Sequence, residues 1–508
     1  MLCTTFLLLL QGAGPAIGNL EIATLQGGSI EIHGQDFGNV GDGGMLLLKS
    51  GSRTSLLPAT SSRVAVWNDH RIILDIEDDS PSGSVRVITP NGVSSVARVE
   101  VYAYDWFDIP PTPGTNASPL SIAVDDAQRV WVNQEFHLAF QRLDLASGVV
   151  TGLSIPQPPP PGPFASTIFA DSRTQMSILG EDVLVDPQGR IWFSQGGANL
   201  YSGIHPNHSR IVCVLPDEPG GPEFRVYNMP NDGNEVIGLT WDPTRNWIWF
   251  AEGGLVSGSR IVGFDPELIP WDNHFDFSTS LSHQVGTPGL PTDPVFHYYD
   301  VPNTGAHAAH LLVKSNGDIW FTHFWGSAIG RLIPSTGVVT TYPVPDHISR
   351  ATPAYIVGAG PWQIVEAPNG DIVFNEFFDS TITRFDITRA DDPTTWQLDA
   401  NGLNPGMIDR VVPRFDKRHE QLHSIAYDEK GNLWYTLHTA DEPDLKAAVG
   451  YINPEWTEMT RFSSMGDTPG TRAWSAAGIA IDQSSGEIFL AEFWRKRIGR
   501  LMHVPRLP

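Results

Sequence analysis

Histidine, glutamate and glutamine recur in this 508-residue chain at one fixed spacing. Three positions after each of seven anchor residues stand Gln134, Gln195, Glu252, His323, Glu376, Leu437 and Glu492. Six of the seven are polar, where the end of an interior strand is expected to be apolar. A second set stands some twelve or more residues earlier in each unit: Glu181, His310, Trp362 and His423, with His307 close by. Imidazole takes up and returns a proton near neutral pH. Carboxylates supply a second acid–base group or the oxygen ligands of a divalent cation. His423, Glu376, Glu492 and His323 are therefore the candidate catalytic groups. Trp362, Glu252, Gln195, Gln134 and His310 are the candidate ligand-binding groups, and the sequence singles out no metal ligands. The competing reading is a wet, polar channel without chemistry.

The elements that must position these residues form a repeat. The anchors are Trp131, Trp192, Trp249, Trp320, Val373, Trp434 and Phe489, each preceded by an aliphatic residue and a turn rich in Asp, Asn or Gly. An apolar strand precedes each turn, beginning near Ile122, Val183, Leu239, Leu311, Ile364, Ile425 and Ile479. A third strand follows in most units, as at Ile329-Gly330-Arg331-Leu332 and Ile498-Gly499-Arg500-Leu501, and several fourth strands end in an aliphatic residue and Pro. Four short strands per unit, repeated seven times, predict an all-β, seven-bladed β-propeller, because a lone four-stranded sheet cannot bury both faces. The last unit runs out after its third strand. Residues 104–110 carry a fourth-strand ending at Ile109-Pro110 and are expected to close the ring beside the last blade, which removes two exposed sheet edges. In a propeller the start of each first strand and the end of each second strand reach the same channel mouth, so both sets of polar residues are expected there.

Residues 19–103 read differently. Segments such as Ser29–Gly34, Val64–Trp67, Ile73–Ile76 and Gly83–Thr89 alternate with a period of two between Gly, Asn and Pro turns. Gly34-Gln35-Asp36-Phe37-Gly38 and Trp67-Asn68-Asp69 resemble the IPT/TIG family of immunoglobulin-like domains, which implies a structural or adhesion module. Residues 1–18 contain Phe6-Leu7-Leu8-Leu9-Leu10 and a run of small residues, the pattern of a signal peptide without its usual basic start. That predicts a secreted or envelope-facing protein. The net charge of −25 repels nucleic acid and anionic lipid surfaces, and no other apolar run is long enough to span a membrane. Of two cysteines only Cys213 would survive processing, in the aliphatic run Ile211 to Leu215, so neither a disulfide nor a cysteine metal cage is expected.

Within 104–508 the repeat resembles that of the virginiamycin B lyase, or streptogramin lyase, family. Ile319-Trp320-Phe321-Thr322 with Ile329-Gly330-Arg331-Leu332 carries the resemblance, as does Glu492 with Ile498-Gly499-Arg500-Leu501. The resemblance implies a seven-bladed propeller that opens a cyclic depsipeptide by β-elimination, using a His, a Glu and Mg²⁺ at the channel mouth. His423 stands at the family's His position. Leu437 stands at its Glu position, with His438 beside it. Leucine transfers no proton, so either Glu492 or Glu376 supplies the missing partner or the lyase chemistry is absent. Two readings follow: a monomeric carbon–oxygen lyase acting on an extracellular ester or glycoside, small molecule or polysaccharide, or a non-catalytic protein that binds an extracellular protein partner through the propeller rim.

Overall fold

The computed structural model describes residues 14–19, 21–110, 118–135, 139–154, 179–196, 210–228, 235–253, 258–268, 296–302, 307–344, 359–390, 407–411, 420–439, 449–462, 476–493 and 495–507. The predicted signal segment lies outside them as far as residue 13, together with Pro-rich 157–162 and the insertion at 280–292. Among the described residues, no helix is long and apolar enough to cross a membrane. The protein is all-β and divides into two compact units: Met1–Asp105 with Gly450–Asp467 and Arg500–Pro508, and Trp106–Val449 with Thr468–Gly499.

In the first unit two sheets share one apolar core. One is ordered Ala16–Ile17, Ser29–Gln35, Arg71–Asp75, Val64–Trp67; the other contains Ala97–Asp108, Gly83–Thr89, Met45–Ser50 and Arg53–Pro58. Ile17, Ile30, Ile32, Leu46, Ile72, Leu74, Val85 and Val87 meet between them. The two sequence motifs are coupled physically. A Cβ at Gly34 would stand 2.3 Å from the Phe37 ring, so only glycine admits that ring. Trp67 Nε1 donates to Phe37 O (3.1 Å), and Asp69 Oδ1 accepts from Gly38 N (3.0 Å).

The second unit is built around four-stranded antiparallel sheets of propeller type. The first sheet runs Ser118–Val124, Arg129–Glu135, Ala139–Asp144, Val149–Ser154, and the second Leu179–Val185, Ile191–Gly196, Arg210–Leu215, Glu223–Asn228. The third is Glu235–Asp242, Trp247–Gly253, Arg260–Phe264, Phe296–Asp300, and the fourth Ala308–Val313, Ile319–His323, Ala328–Ile333, Val338–Pro343. The fifth is Pro361–Glu366, Ile372–Glu376, Thr381–Phe385, Met407–Val411, and a sixth is ordered Glu420–Tyr427, Leu433–Thr439, Val449–Ile452, Met459–Phe462, its outer strands counted with the first unit from Gly450 on. A closing set orders Ala476–Asp482, Glu487–Glu492 and Arg497–Val504 beside the early strand Ala97–Asp108. Ile109 N donates to Lys496 O (2.9 Å), and Ile109 packs with Phe489, Ala491 and Ile498. The innermost strands neighbour one another in turn, and Ala476–Asp482 lies beside Ser118–Val124.

The tryptophans are packing elements, as their large apolar area demands. Trp131, Trp192, Trp249 and Trp434 are fully buried, each with its indole N–H on the Asp of the preceding turn: Asp125, Asp186, Asp242 and Asp428. Cys213 is buried among aliphatic side chains, and burial pushes its thiol up to about 12.

Candidate functional site at the starts of the inner strands

Every innermost strand carries a bulge at the same place, between Pro119 and Ser121, Gly180 and Asp182, Val236 and Leu239, Ala308 and Leu311, Pro361 and Ile364, Leu422 and Ile425, and Ala476 and Ile479. A bulge breaks the pairing ladder and re-aims the side chains beside it. The freed backbone groups need partners, and in five of the seven units the Asn, Ser or Thr two after the anchor supplies them. Thr322 Oγ1 accepts from His310 N (3.0 Å) and donates to Trp362 O (2.5 Å). Asn375 does the same for Gln363 N (2.8 Å) and Leu422 O (2.7 Å), and Thr436 for Ser424 N (3.0 Å) and Ala477 O (2.7 Å). Each such side chain thus staples its own bulge to that of the next sheet. Where the staple position is Ala251 or Ala491, the bulge carries Gly238 or Gly478. A Cβ there would stand 2.6 Å from Ala309 O or Leu120 O, so the next strand comes closer instead.

The bulge residues form a belt of uneven chemistry. The first, third and closing strands present Leu120-Ser121, Ile237-Gly238 and Ala477-Gly478, whereas the second, fourth, fifth and sixth present Glu181-Asp182, Ala309-His310, Trp362-Gln363 and His423-Ser424. His310 and His423 flank the Trp362 ring, with centroids 4.9 and 6.0 Å from it. His423 also meets Phe377 edge-on at 6.2 Å. His310 Nδ1 lies 3.7 Å from Asp182 Oδ2, and its Nε2 is buried without a hydrogen-bond partner. Asp182 is held by Leu239 N (2.9 Å) of the third sheet and Val183 N (2.9 Å) of its own. Phe324, Trp325, Phe377 and Phe378 continue the aromatic surface from Trp362 to His307.

The second-strand residues occupy a different environment. Successive strand residues alternate faces, so His323 shares a face with Phe321 and Ile319, which pack on Trp249 and Ala251 of the preceding sheet. His323, Glu252, Glu376 and Glu492 are fully buried, and so are Gln134 and Leu437. Three of the carboxylates are engaged from their own third strands. Glu252 accepts from Arg260 Nε (2.6 Å), Glu376 from Thr383 Oγ1 (2.5 Å) and Glu492 from Arg497 Nε (2.5 Å). Burial outweighs the Arg497 pair at Glu492 and raises its carboxyl to about 7. The side chains of Gln195, Glu181 and His438 lie outside the described residues. Contacts therefore bring together His310, Trp362 and His423, while His323, Glu376 and Glu492 each face a different inter-sheet junction.

Among the described residues, no three His, Cys, Asp or Glu side chains stand close enough to hold a metal ion. Mg²⁺ needs a set of oxygen ligands, and Glu252, Glu376 and Glu492 are already committed to Arg or Thr. The described residues do not fit that ion. The spacing pattern had not singled out Glu235, whose Oε2 lies 3.2 Å from His307 Nε2.

A ring of four-stranded antiparallel sheets, with its polar belt at the inner strand ends, defines the class of the second unit as a β-propeller. No protein-family model and no curated protein matches the chain. Among solved structures, a streptogramin B lyase is 19% identical, covering 79% of this chain and 98% of its own, with TM-score 0.52. Virginiamycin B lyase from Staphylococcus aureus is also 19% identical, covering 79% of this chain and 99% of its own, at 0.51. A catalytically inactive form of that enzyme with quinupristin matches at 0.50, with the same identity and coverage. At that identity the likeness establishes a propeller of the lyase fold, and function has to be argued from the site.

Proposed function

We propose that this is a secreted, seven-bladed propeller enzyme of the carbon–oxygen lyase type, carrying an IPT-like front domain. Its reaction is the β-elimination of an extracellular ester or glycoside at the inner strand ends. The observation that carries the reading is the placement of two imidazoles, His423 and His310, on either side of Trp362. His423 removes the proton α to a carbonyl. The released electron pair forms the carbon–carbon double bond, the β carbon–oxygen bond breaks, and the leaving oxygen takes a proton from His310. Asp182 Oδ2 stands 3.7 Å from His310 Nδ1, on the side of the ring away from its unpartnered Nε2. No water is consumed, and no step here requires a metal ion. This arrangement gives His310 the role that Leu437 cannot fill.

A mass-spectrometric screen with linear and cyclic esters and polysaccharides tests this. Elimination from a cyclic ester opens the ring without changing its mass, whereas hydrolysis adds the mass of one water. Products bearing that added water, or no turnover of any ester or glycoside, would overturn the lyase reading. The second reading, a recognition protein without catalysis, is favoured by buried Leu437 and by the commitment of Glu252, Glu376 and Glu492 to interior partners.

A further inference from the structure

Next to the two imidazoles, at the starts of the third and fourth sheets, a second carboxylate–imidazole pair remains without a role. Glu235 and His307 are both more than nine-tenths buried and lie 3.2 Å apart. Trp325 Nε1 donates to His307 Nδ1 (3.0 Å). That bond uses the lone pair of Nδ1 and leaves Nε2 facing Glu235. Glu235 Oε2 approaches that nitrogen, while Glu235 Oε1 and His307 Nε2 are both buried with no hydrogen-bond partner. The site is shaped for this pair: a Cβ at Gly253 would fall 1.8 Å from His307 Cδ2. An uncompensated buried carboxylate is costly and is relieved by a cation or donor.

The surroundings say which kind. Trp325 contacts Phe324 and Phe378 at ring distances of 4.9 and 5.6 Å, and Phe324 reaches Trp362 at 5.0 Å. Aromatic faces attract organic cations through the ring quadrupole, most strongly for Trp and where water is excluded. A chain of net charge −25 also draws cations towards it. A metal ion would need more ligands than the described residues of this corner offer, whereas an alkylammonium group is matched by one carboxylate and several ring faces.

We propose that the Glu235–His307–Trp325 corner binds an organic ammonium group of the ligand, with Glu235 as counter-charge and the Phe324–Trp325–Phe378 rings as its walls. This rests on the reading of the inner strand ends as a ligand site. The test is calorimetric titration of the full chain with choline and with its neutral isostere 3,3-dimethylbutan-1-ol. Choline is expected to bind saturably, the isostere at least about tenfold more weakly, and E235Q, with an unchanged melting temperature, to lose about tenfold in choline affinity. Equal binding of the two probes, no saturable choline binding, or undiminished affinity in a folded E235Q would each overturn the proposal. Turnover of H423A separates it from the lyase reading. Loss of turnover without choline binding sinks this inference alone. Choline binding with turnover intact in H423A sinks the lyase reading alone.

Discussion

The inner strand ends and the inter-sheet junctions both carry histidine and glutamate, yet the two regions use them for opposite purposes. At the strand ends His310 and His423 pack edge-on against aromatic rings, and Asp182 and Glu235 stand beside imidazoles. In the junctions Glu252, Glu376 and Glu492 are enclosed and bonded to Arg or Thr of the neighbouring strand. Polarity alone does not mark a functional residue in a propeller. In the proposed reading the mark is the start of the inner strand, where His310 and His423 sit in bulges and Glu235 and His307 lie just before them.

The largest expected effect falls on the strand ends. In the lyase reading H423A lowers kcat by roughly 10²–10⁴-fold, the usual contribution of a general base, with no loss of melting temperature. H310Q lowers it by a similar factor. Steady-state kinetics beside thermal unfolding checks both, and a parallel fall in stability would erase the distinction between the two regions.

Next come the junctions. R260A leaves Glu252 buried without its partner and is expected to cost about 3–5 kcal/mol of stability. Denaturant titration reads that loss, and an unchanged midpoint would show that Glu252 is not an interior anchor. T436A unpartners Ser424 N and Ala477 O and should cost about 1–3 kcal/mol. An A491S exchange should not restore a matching gain, because Gly478 already lets the next strand approach.

A smaller effect concerns pH. Glu492 is raised from 4.5 to about 7, so between these values the folded protein holds a proton that the unfolded chain has released. The stability this group contributes is full below about pH 4.5 and is lost as pH rises through about 7, by about 3 kcal/mol at most. E492Q should flatten that part of the stability–pH curve. An equally steep curve in E492Q would assign the slope to other groups. Least of all, Cys213 should resist a thiol reagent until the protein unfolds, and prompt labelling of the folded chain would contradict its burial.

Much of the fold was legible because packing repeats in sequence. The anchors from Trp131 to Phe489 follow the same period that the sheets display. The site was only partly legible. His423, His310 and Trp362 were visible by their place before the first strand, but Glu235 was not, because its significance comes from His307 on another sheet. The second-strand residues were assigned to the channel mouth from register alone. Strand alternation carries the missing signal: His323 lies two residues after Phe321, a core residue, and must share its face. The bulges themselves have no clear mark beyond the Asn, Ser or Thr two places after several anchors, as at Asn133, Ser194, Thr322, Asn375 and Thr436.

The division between strand ends and junctions is tested most directly by carbethoxylation of histidines in the folded protein, followed residue by residue by mass spectrometry. His423, half-buried beside Trp362, should react while the fold is intact, and His323, enclosed between the third and fourth sheets, should react only on unfolding. Modification of His323 as fast as His423 in protein that remains folded would contradict the account.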